Sequence, residues 1–138
     1  MDYKNTENWI LSRVPIFQNK GKVAYNPGLK NVSEFIKELN LPNNQLKFIH
    51  IGGTNGKGST SSYVSSILQE SGYKVGIFSS PHFYDFRERI KINNTKIEKS
   101  FIINFIKKNK KLIKRLGLSF FELSFGLCLT IIIRNKNN

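Results

Sequence analysis

The chain has 138 residues, a formal net charge of +13 and a single cysteine. This length is enough for one domain with its own core, and one cysteine excludes an internal disulfide framework. No charged segment followed by an apolar stretch and a small-residue cleavage site opens the chain, so we expect a cytoplasmic protein.

The positive charge by itself favours an anionic partner such as nucleic acid. However, Lys, Asn and Ile supply 50 of the 138 residues. All three have AT-rich codons, so base composition alone can produce the charge. The densest basic run, residues 107–115, has apolar residues around it at helical spacing, as expected for the solvated face of an amphipathic helix. We therefore predict no specific nucleic-acid partner.

Two helices are predicted near the N-terminus. A short apolar cluster in residues 7–14 indicates the first helix, and the Gly-, Pro- and Asn-rich residues 20–31 indicate a loop after it. In residues 31–41 the apolar side chains recur every three or four positions. This spacing predicts a second helix, with Asn31 or Ser33 as its cap.

The middle of the chain has the pattern of a strand, a glycine-rich loop, a helix and a second strand. Residues 46–51 and residues 74–80 are the two strand candidates. Between them, apolar positions share one face from residue 59 to residue 71, and Gly72 follows where a helix C-cap belongs. Such a βαβ unit places its strands parallel in one sheet. We therefore predict an α/β fold, a mostly parallel sheet with flanking helices, and a functional site at the carboxyl ends of these strands.

The last third of the chain predicts a hairpin and two helices. Residues 89–93 and 95–97 alternate enough for a small hairpin or edge strands, and the basic helix of residues 99–115 follows. Residues 119–133 are nearly all apolar, but this run is shorter than the about 20 residues of a membrane span and contains Glu122. We predict a buried helix there and no membrane partner.

The glycine-rich loop, GGTNGKGST at residues 52–60, departs twice from the common phosphate-binding pattern G-x-x-x-x-G-K-[ST]. Ile51 stands in place of the first glycine and Gly58 in place of the hydroxyl residue. A loop between a strand and a helix aims backbone N–H groups at one point, where the helix dipole adds to them. Lys57 supplies a mobile positive charge. The loop thus predicts nucleotide binding, and alone it fits a kinase, a GTPase or another ATPase.

The shifted spacing is more informative. The sequence GTNGKGS resembles the ATP loop of the Mur ligase superfamily and, within it, of the folylpolyglutamate synthase and dihydrofolate synthase family. The segments YKVGIFSSPHFYDFRERIKIN (73–93), SFFELSFGL (119–127) and FQNKGKVAYNPGLKN (17–31) resemble further segments of that family, in the same order. This resemblance implies an ATP- and Mg²⁺-dependent ligase that adds L-glutamate to dihydropteroate or to a folate through an acyl phosphate.

The resemblance also implies roles for individual residues. The ATP phosphates are assigned to Gly53, Thr54, Asn55, Gly56, Lys57, Gly58, Ser59 and Thr60. Mg²⁺ is assigned to Ser80 and Ser59, and catalysis to Lys57 and His82. The pterin substrate is assigned to Asn26, Pro27, Gly28, His82, Arg87, Phe121 and Glu122. Two assignments stay open: Arg89 pairs with Glu88 or Glu122, and Glu122 is either a ligand contact or the partner of a buried arginine.

The resemblance covers the N-terminal part of the family's ATP-binding domain. Residues 1–45 are expected to form the N-terminal helices and the substrate loop, and residues 46–138 an incomplete βαβ core. The family's acidic Mg²⁺ ligand, its histidine metal ligand, its modified lysine and its C-terminal glutamate-ligase domain are all expected beyond Asn138. We therefore expect a truncated domain that is inactive by itself, from a parent enzyme that is a monomer. Which of the two syntheses the parent performs, or whether it performs both, stays open.

Two alternatives compete with the ligase interpretation. A P-loop kinase or NTPase of another class normally carries its hydroxyl directly after the lysine, and here Gly58 follows Lys57. A basic nucleic-acid-binding module would explain the charge and would bind with a steep salt dependence. It would leave the glycine loop unexplained.

Overall fold

The computed structural model describes residues 2–13, 28–41 and 46–136, with the backbone alone at residue 136. In chain order the elements are α1 (Tyr3–Leu11), α2 (Lys30–Glu38), α3 (Lys57–Glu70), β1 (Gly76–Phe78), a 3-10 helix (Phe86–Arg89), β2 (Ile90–Ile92), β3 (Thr95–Lys96), α4 (Lys99–Leu116) and α5 (Phe120–Lys136). They form two compact units. The first unit holds residues 1–41 and 99–130, and the second holds residues 42–98 and 131–138.

The first unit is helical and has a closely packed apolar core. Its fully buried side chains include Ile10 of α1, Phe35 of α2, Ile106 of α4 and Leu123 of α5. Gly126 of α5 lies directly against the Phe35 ring, and a Cβ at this position would overlap the ring. A glycine is therefore required where α5 passes α2.

The starts of both N-terminal helices differ from the prediction. Helix α1 begins four residues early, because the Asp2 carboxylate accepts a hydrogen bond from the backbone N–H of Asn5 at 2.8 Å and caps the first turn. Helix α2 has Leu29 at its N-cap and no side-chain cap. The predicted caps Asn31 and Ser33 both lie inside this helix.

The second unit holds a three-stranded antiparallel sheet with the order β1-β2-β3. Gly76 of β1 pairs with Ile92 of β2, and Lys91 of β2 pairs with Lys96 of β3. Asn93 and Asn94 join β2 to β3 with φ angles of 46° and 62°. Asparagine tolerates this left-handed region better than most residues, which suits a two-residue hairpin turn. The predicted hairpin is therefore confirmed.

The α/β class is confirmed, but the strand predicted over residues 46–51 is wrong for the described chain. These residues have no strand hydrogen bonding, and Phe48 and Ile49 are each 63% exposed. Parallel strands occur almost only in sheets whose two faces are both covered. No described strand lies alongside residues 46–51, so the predicted parallel pair with β1 does not form here.

The three longer helices agree with the sequence pattern. Helix α3 ends as predicted at Gly72, whose φ is +85°. The backbone N–H of Tyr73 bonds to the carbonyl of Leu68 at 3.0 Å, and that of Gly72 bonds to the carbonyl of Gln69 at 2.9 Å, as in a Schellman motif. Helices α4 and α5 match their predicted ranges. In the described part of the chain, no helix is both long and apolar enough to cross a membrane.

Candidate functional site

The glycine-rich loop leads into the N-terminus of α3. Gly56 is the N-cap with φ +79°, a left-handed conformation that disfavours residues with a Cβ. No side chain caps the helix, and the first backbone bond to close is from the N–H of Thr60 to the carbonyl of Gly56, at 2.9 Å. The N–H groups of the first turn therefore have no side-chain acceptor, which is the arrangement that binds phosphate at helix N-termini.

Lys57 folds back over this loop. Its ammonium nitrogen lies 2.5 Å from the carbonyl oxygen of Gly53 and 3.1 Å from that of Thr54. A Lys ammonium has three donors and no acceptor, so these carbonyls hold the charge beside the loop. The predicted role of Lys57 toward ATP stays a prediction.

The hydroxyl groups predicted for metal and phosphate lie on the surface. Ser59 and Thr60 are exposed in the first turn of α3, and Ser80 is exposed two residues after β1. The Ser80-Pro81 peptide bond is cis. Within residues 46–98, no hydrogen bond joins Ser80 to the glycine loop. Each hydroxyl is therefore accessible to a ligand from solvent.

The loop after Ser80 closes around the carboxylate of Glu88. This carboxylate accepts hydrogen bonds from three consecutive backbone N–H groups: Phe83 at 2.8 Å, Tyr84 at 3.3 Å and Asp85 at 3.0 Å. The bond from Phe83, followed by those from Asp85 and Tyr84, lowers the pKa of Glu88 below its ordinary value of 4.5, against a smaller opposing effect of burial. The Glu88 carboxylate therefore holds this loop in its conformation, and we call these three hydrogen bonds the Glu88 clasp.

Arg87 pairs inside the same loop. Its guanidinium lies 2.7 Å from the Asp85 carboxylate through Nη2 and 3.0 Å through Nε. Asp85 also caps the 3-10 helix, because its side chain accepts from the backbone N–H of Arg87 at 2.9 Å. Arg87 thus has a carboxylate partner within its own loop. Its predicted role toward substrate stays a prediction.

His82 contacts the side chain of Arg89. The Nε of Arg89 donates a hydrogen bond to Nδ1 of His82 at 2.7 Å, and the His82 ring meets the Phe86 ring edge-on with centroids 6.2 Å apart. Arg89 is 9% exposed, and this burial lowers the pKa of its guanidinium below the ordinary value. His82 is therefore a partner of Arg89 that the sequence analysis did not consider.

The remaining predicted substrate residues belong to the first unit or lie outside the described residues. Asn26 and Pro27 fall outside them, and Gly28 is the first described residue before α2. Phe121 is exposed on α5. Glu122 accepts from the backbone N–H and the hydroxyl of Ser119, both at 2.8 Å, and so forms a capping box at the start of α5. This capping role is neither of the two alternatives considered for Glu122.

The sequence contained a pattern that indicates the capping roles of Glu122 and Glu88. Ser119 and Glu122, like Asp85 and Glu88, have the spacing of a helix capping box, a capping residue followed three positions later by Glu. The contact of Arg89 with His82 had no comparable signal. The two residues lie seven positions apart and meet only because the intervening loop folds back.

Comparisons of sequence give consistent relatives, although no family model matches the chain. The chain is 38% identical over 134 residues to a protein of Haloferax volcanii named as a probable bifunctional folylpolyglutamate synthase/dihydropteroate synthase, over 94% of this chain and 15% of that protein. It is 38% identical over 95 residues to the dihydrofolate synthase/folylpolyglutamate synthase of Bacillus subtilis, over 69% of this chain and 20% of that protein.

Solved structures give the same result for the fold. The folylpolyglutamate synthase of Thermotoga maritima matches with a TM-score of 0.80 and 30% identity, over 97% of this chain and 31% of that chain. The chain belongs to the folylpolyglutamate synthase and dihydrofolate synthase family. The enzyme of Lactobacillus casei matches with a TM-score of 0.82 and 26% identity, over 99% of this chain and 34% of that chain.

The chain spans about a fifth or less of the length of the curated relatives above and about a third of the length of the solved structures. The relatives and solved structures named above all carry the name folylpolyglutamate synthase or synthetase, so the comparisons do not favour the kinase or nucleic-acid alternatives. Among the solved structures is an FPGS-AMPPCP-folate complex, which matches with a TM-score of 0.79 and 26% identity over 99% of this chain and 33% of that chain.

Proposed function

We propose that this chain supplies the nucleotide- and pterin-binding part of an ATP-dependent ligase that adds L-glutamate to dihydropteroate or to a (tetrahydro)folate. The observation that carries the proposal is the uncapped N-terminus of α3, with Lys57 bonded across its glycine loop. The family membership narrows a general nucleotide loop to this chemistry. Relatives that carry both synthase names, and another that carries one of them, support a parent enzyme with either activity or both.

Nucleotide binding begins with an exchange of partners at Lys57. Without nucleotide, the Gly53 and Thr54 carbonyls hold the ammonium. A terminal phosphate is a stronger acceptor than a neutral carbonyl, because charge-assisted hydrogen bonds are shorter and stronger. The ammonium therefore turns to the phosphate, and the first-turn N–H groups of α3 bind the other phosphate oxygens.

The proposed reaction has two steps. A carboxylate oxygen of the pterin substrate attacks the γ-phosphorus, the bond to ADP breaks, and an acyl phosphate forms. The amine of glutamate then attacks the acyl carbon, inorganic phosphate leaves, and the amine loses a proton. The part of the chain that we assign to this reaction neutralises and positions the phosphates, which is most of what phosphoryl transfer asks of a protein.

Mg²⁺ fits the hydroxyl groups of Ser59 and Ser80 as donors. The ion prefers oxygen ligands and keeps waters and phosphate oxygens as the rest of its shell. Both hydroxyls are neutral, and the described residues contain no group of three acidic, His or Cys side chains that could hold a metal. We therefore propose that the ion binds together with the nucleotide, where it would neutralise phosphate charge.

The pterin site is assigned to His82 and Arg87 of the second unit, with Asn26, Pro27, Gly28, Phe121 and Glu122 as further contacts. Solved folylpolyglutamate synthase structures with AMPPCP and folate support small-molecule substrates of this kind. We place the protein in the reducing cytoplasm, as a monomer without a nucleic-acid partner. The buried thiol of Cys128, whose pKa burial raises to about 12, agrees with a free cysteine that takes no part in the chemistry.

Titration with ATP and Mg²⁺, followed by calorimetry, tests the nucleotide site. Lys57→Ala should weaken ATP binding roughly 10- to 100-fold, as expected for the loss of a charge-assisted hydrogen bond. Lys74→Ala is the matched control. The Lys74 ammonium also bonds to a backbone carbonyl, that of Asn135, but it lies beyond the C-terminal end of α3. This control should bind ATP as the unchanged chain does, and equal affinity in both variants would refute the assignment of the loop.

A second assay tests the proposal that this chain alone does not complete the reaction. The purified chain is incubated with ATP, Mg²⁺, L-glutamate and either dihydropteroate or tetrahydrofolate, and released phosphate is measured. We expect no release above the background without the pterin substrate. Sustained pterin-dependent turnover would show that the chain is a complete ligase and would overturn this part of the proposal.

A further inference from the structure

A buried arginine and a histidine meet directly in the loop after β1. The Nε of Arg89 lies 2.7 Å from Nδ1 of His82. An arginine side chain carries only donors. Arg89 is therefore the donor in this contact, and the lone pair on Nδ1 of His82 is the acceptor.

This contact determines where the imidazole carries its proton. A neutral imidazole has one nitrogen that donates and one that accepts. Since Nδ1 accepts from Arg89, the ring proton lies on Nε2. The ring orientation is also restricted, because the edge-on contact with the fully buried Phe86 holds the ring on a second side.

The backbone of Arg89 is held as firmly as its side chain. Its carbonyl accepts a hydrogen bond from the N–H of Ser79 at 2.9 Å, and Ser79 is the residue directly after β1. The next residue, Ile90, begins β2 and is fully buried. Arg89 lies directly before β2, and its side chain bonds to His82 while its carbonyl bonds to Ser79, the residue before Ser80.

We propose that Arg89 is a positioning residue that holds Nδ1 of His82 and so fixes the imidazole in the Nε2–H tautomer. This inference deepens the proposed function and rests on it only for the assignment of His82 to the pterin substrate. His82 then acts as an oriented donor. It does not act as a base through Nδ1, because Arg89 occupies that lone pair.

The tautomer of His82 can be read from long-range ¹H–¹⁵N correlations of the imidazole nitrogens in the ¹⁵N-labelled chain, at a pH where the ring is neutral. The chain contains one other histidine, His50, which is exposed and has no hydrogen bond with a described residue. His50 is therefore an internal reference for a ring that exchanges between tautomers. We expect His82 to show the pure Nε2–H pattern and His50 an averaged pattern.

Arg89→Met removes the donor and keeps a side chain of similar length. It should move the His82 signals toward the averaged pattern of His50. Arg87→Met is the matched control, because Arg87 lies in the same 3-10 helix but pairs with Asp85. This control should leave the His82 signals unchanged.

Three results would overturn the proposal: an Nδ1–H pattern for His82, an averaged pattern for His82 in the unchanged chain, or an unaffected pattern in Arg89→Met. The first two need no variant, so the proposal stays testable even where Arg89→Met fails to fold. The measurement uses no nucleotide or pterin. Its failure is therefore distinct from a failure of the ATP titration with Lys57→Ala.

Discussion

The two compact units are held together by different interactions. In the first unit, apolar side chains from four helices are buried against one another, among them Phe35, Ile106 and Leu123. The second unit leaves much more apolar surface in contact with water. Of the nine large hydrophobic side chains that are exposed in the described residues, seven belong to it: Phe48, Ile49, Tyr63, Ile67, Tyr73, Phe83 and Tyr84.

In the second unit, hydrogen bonds between polar side chains and the backbone hold the loops in their conformations. Glu88 holds three loop N–H groups, and Asn93 accepts from the backbone N–H of Val75 at 2.8 Å. Lys57 bonds to two loop carbonyls. Such bonds fix loop shapes without requiring a large core, and the loops that carry the proposed site are held in this way. The stability of the first unit should therefore depend on the volume of its buried apolar side chains. The stability of the second unit should depend on specific hydrogen bonds.

The largest expected effect comes from truncating a buried aliphatic side chain of the first unit, in comparison with an exposed one of the second. Leu123→Ala should lower the free energy of unfolding by about 2–5 kcal/mol, because Leu123 is fully buried. Ile67→Ala should change it by less than about 0.5 kcal/mol, because Ile67 is 66% exposed. Urea denaturation followed by circular dichroism measures both. Similar losses for the two variants would contradict the contrast between the units.

Replacing either of two helical glycines by alanine should change the free energy of unfolding by a smaller amount, and in different directions at the two positions. Gly126→Ala should destabilise by about 1–3 kcal/mol, because the new methyl group would overlap the Phe35 ring. Gly58→Ala has open space around the new Cβ and lies inside α3, so it should be neutral or stabilise by up to about 1 kcal/mol.

The same urea titrations test this pair. Because both substitutions are identical in chemistry and both lie in helices, the difference between them reports packing alone. A stabilising Gly126→Ala would show that α2 and α5 can move apart at little cost.

The smallest expected effect is the pH dependence of the Glu88 clasp. The folded-state pKa of Glu88 lies below its ordinary value of 4.5, so its contribution to stability is fully present above pH 4.5. It is lost as the pH falls through the lowered pKa, where the carboxylate takes up a proton. Glu88→Gln should therefore be less stable than the unchanged chain at pH 7, and this difference should shrink below the lowered pKa.

Denaturant titrations of both proteins across this pH range make the comparison. Glu98→Gln is the control, since Glu98 is an exposed carboxylate of the same unit. It should show no such pH-dependent difference. A Glu88→Gln difference that stays constant as the pH falls would mean that the charge of Glu88 does not hold the loop.

The sequence was sufficient wherever a local pattern decides the structure. The apolar spacing of α4 and the nearly continuous apolar run of α5 predicted both helices, because neither pattern depends on the identity of the packing partner. Gly72 marked the end of α3, and the turn at Asn93 and Asn94 follows from their tolerance of positive φ. The loop at Lys57 was recognised because its residues are consecutive.

The sequence failed where a residue depends on distant neighbours. Residues 46–51 have the composition of a strand, but a strand forms only when another chain segment pairs with it, and none of the described residues does. Asn26 and Pro27 lie outside the described residues, so their assignment to the pterin remains a prediction.

By itself, the sequence determined the helices, the hairpin, the position of the glycine-rich loop before α3 and the resemblance to the folylpolyglutamate synthase family, because each of these depends on residues that are close in the chain or consecutive in a motif. Only the tertiary structure decided that Arg89 donates to His82, whereas the cap that Glu122 forms with Ser119 is a local contact with a recognisable spacing. A titratable side chain takes its role from the atoms that fold against it. For His82, those atoms are a guanidinium nitrogen and the edge of a buried ring.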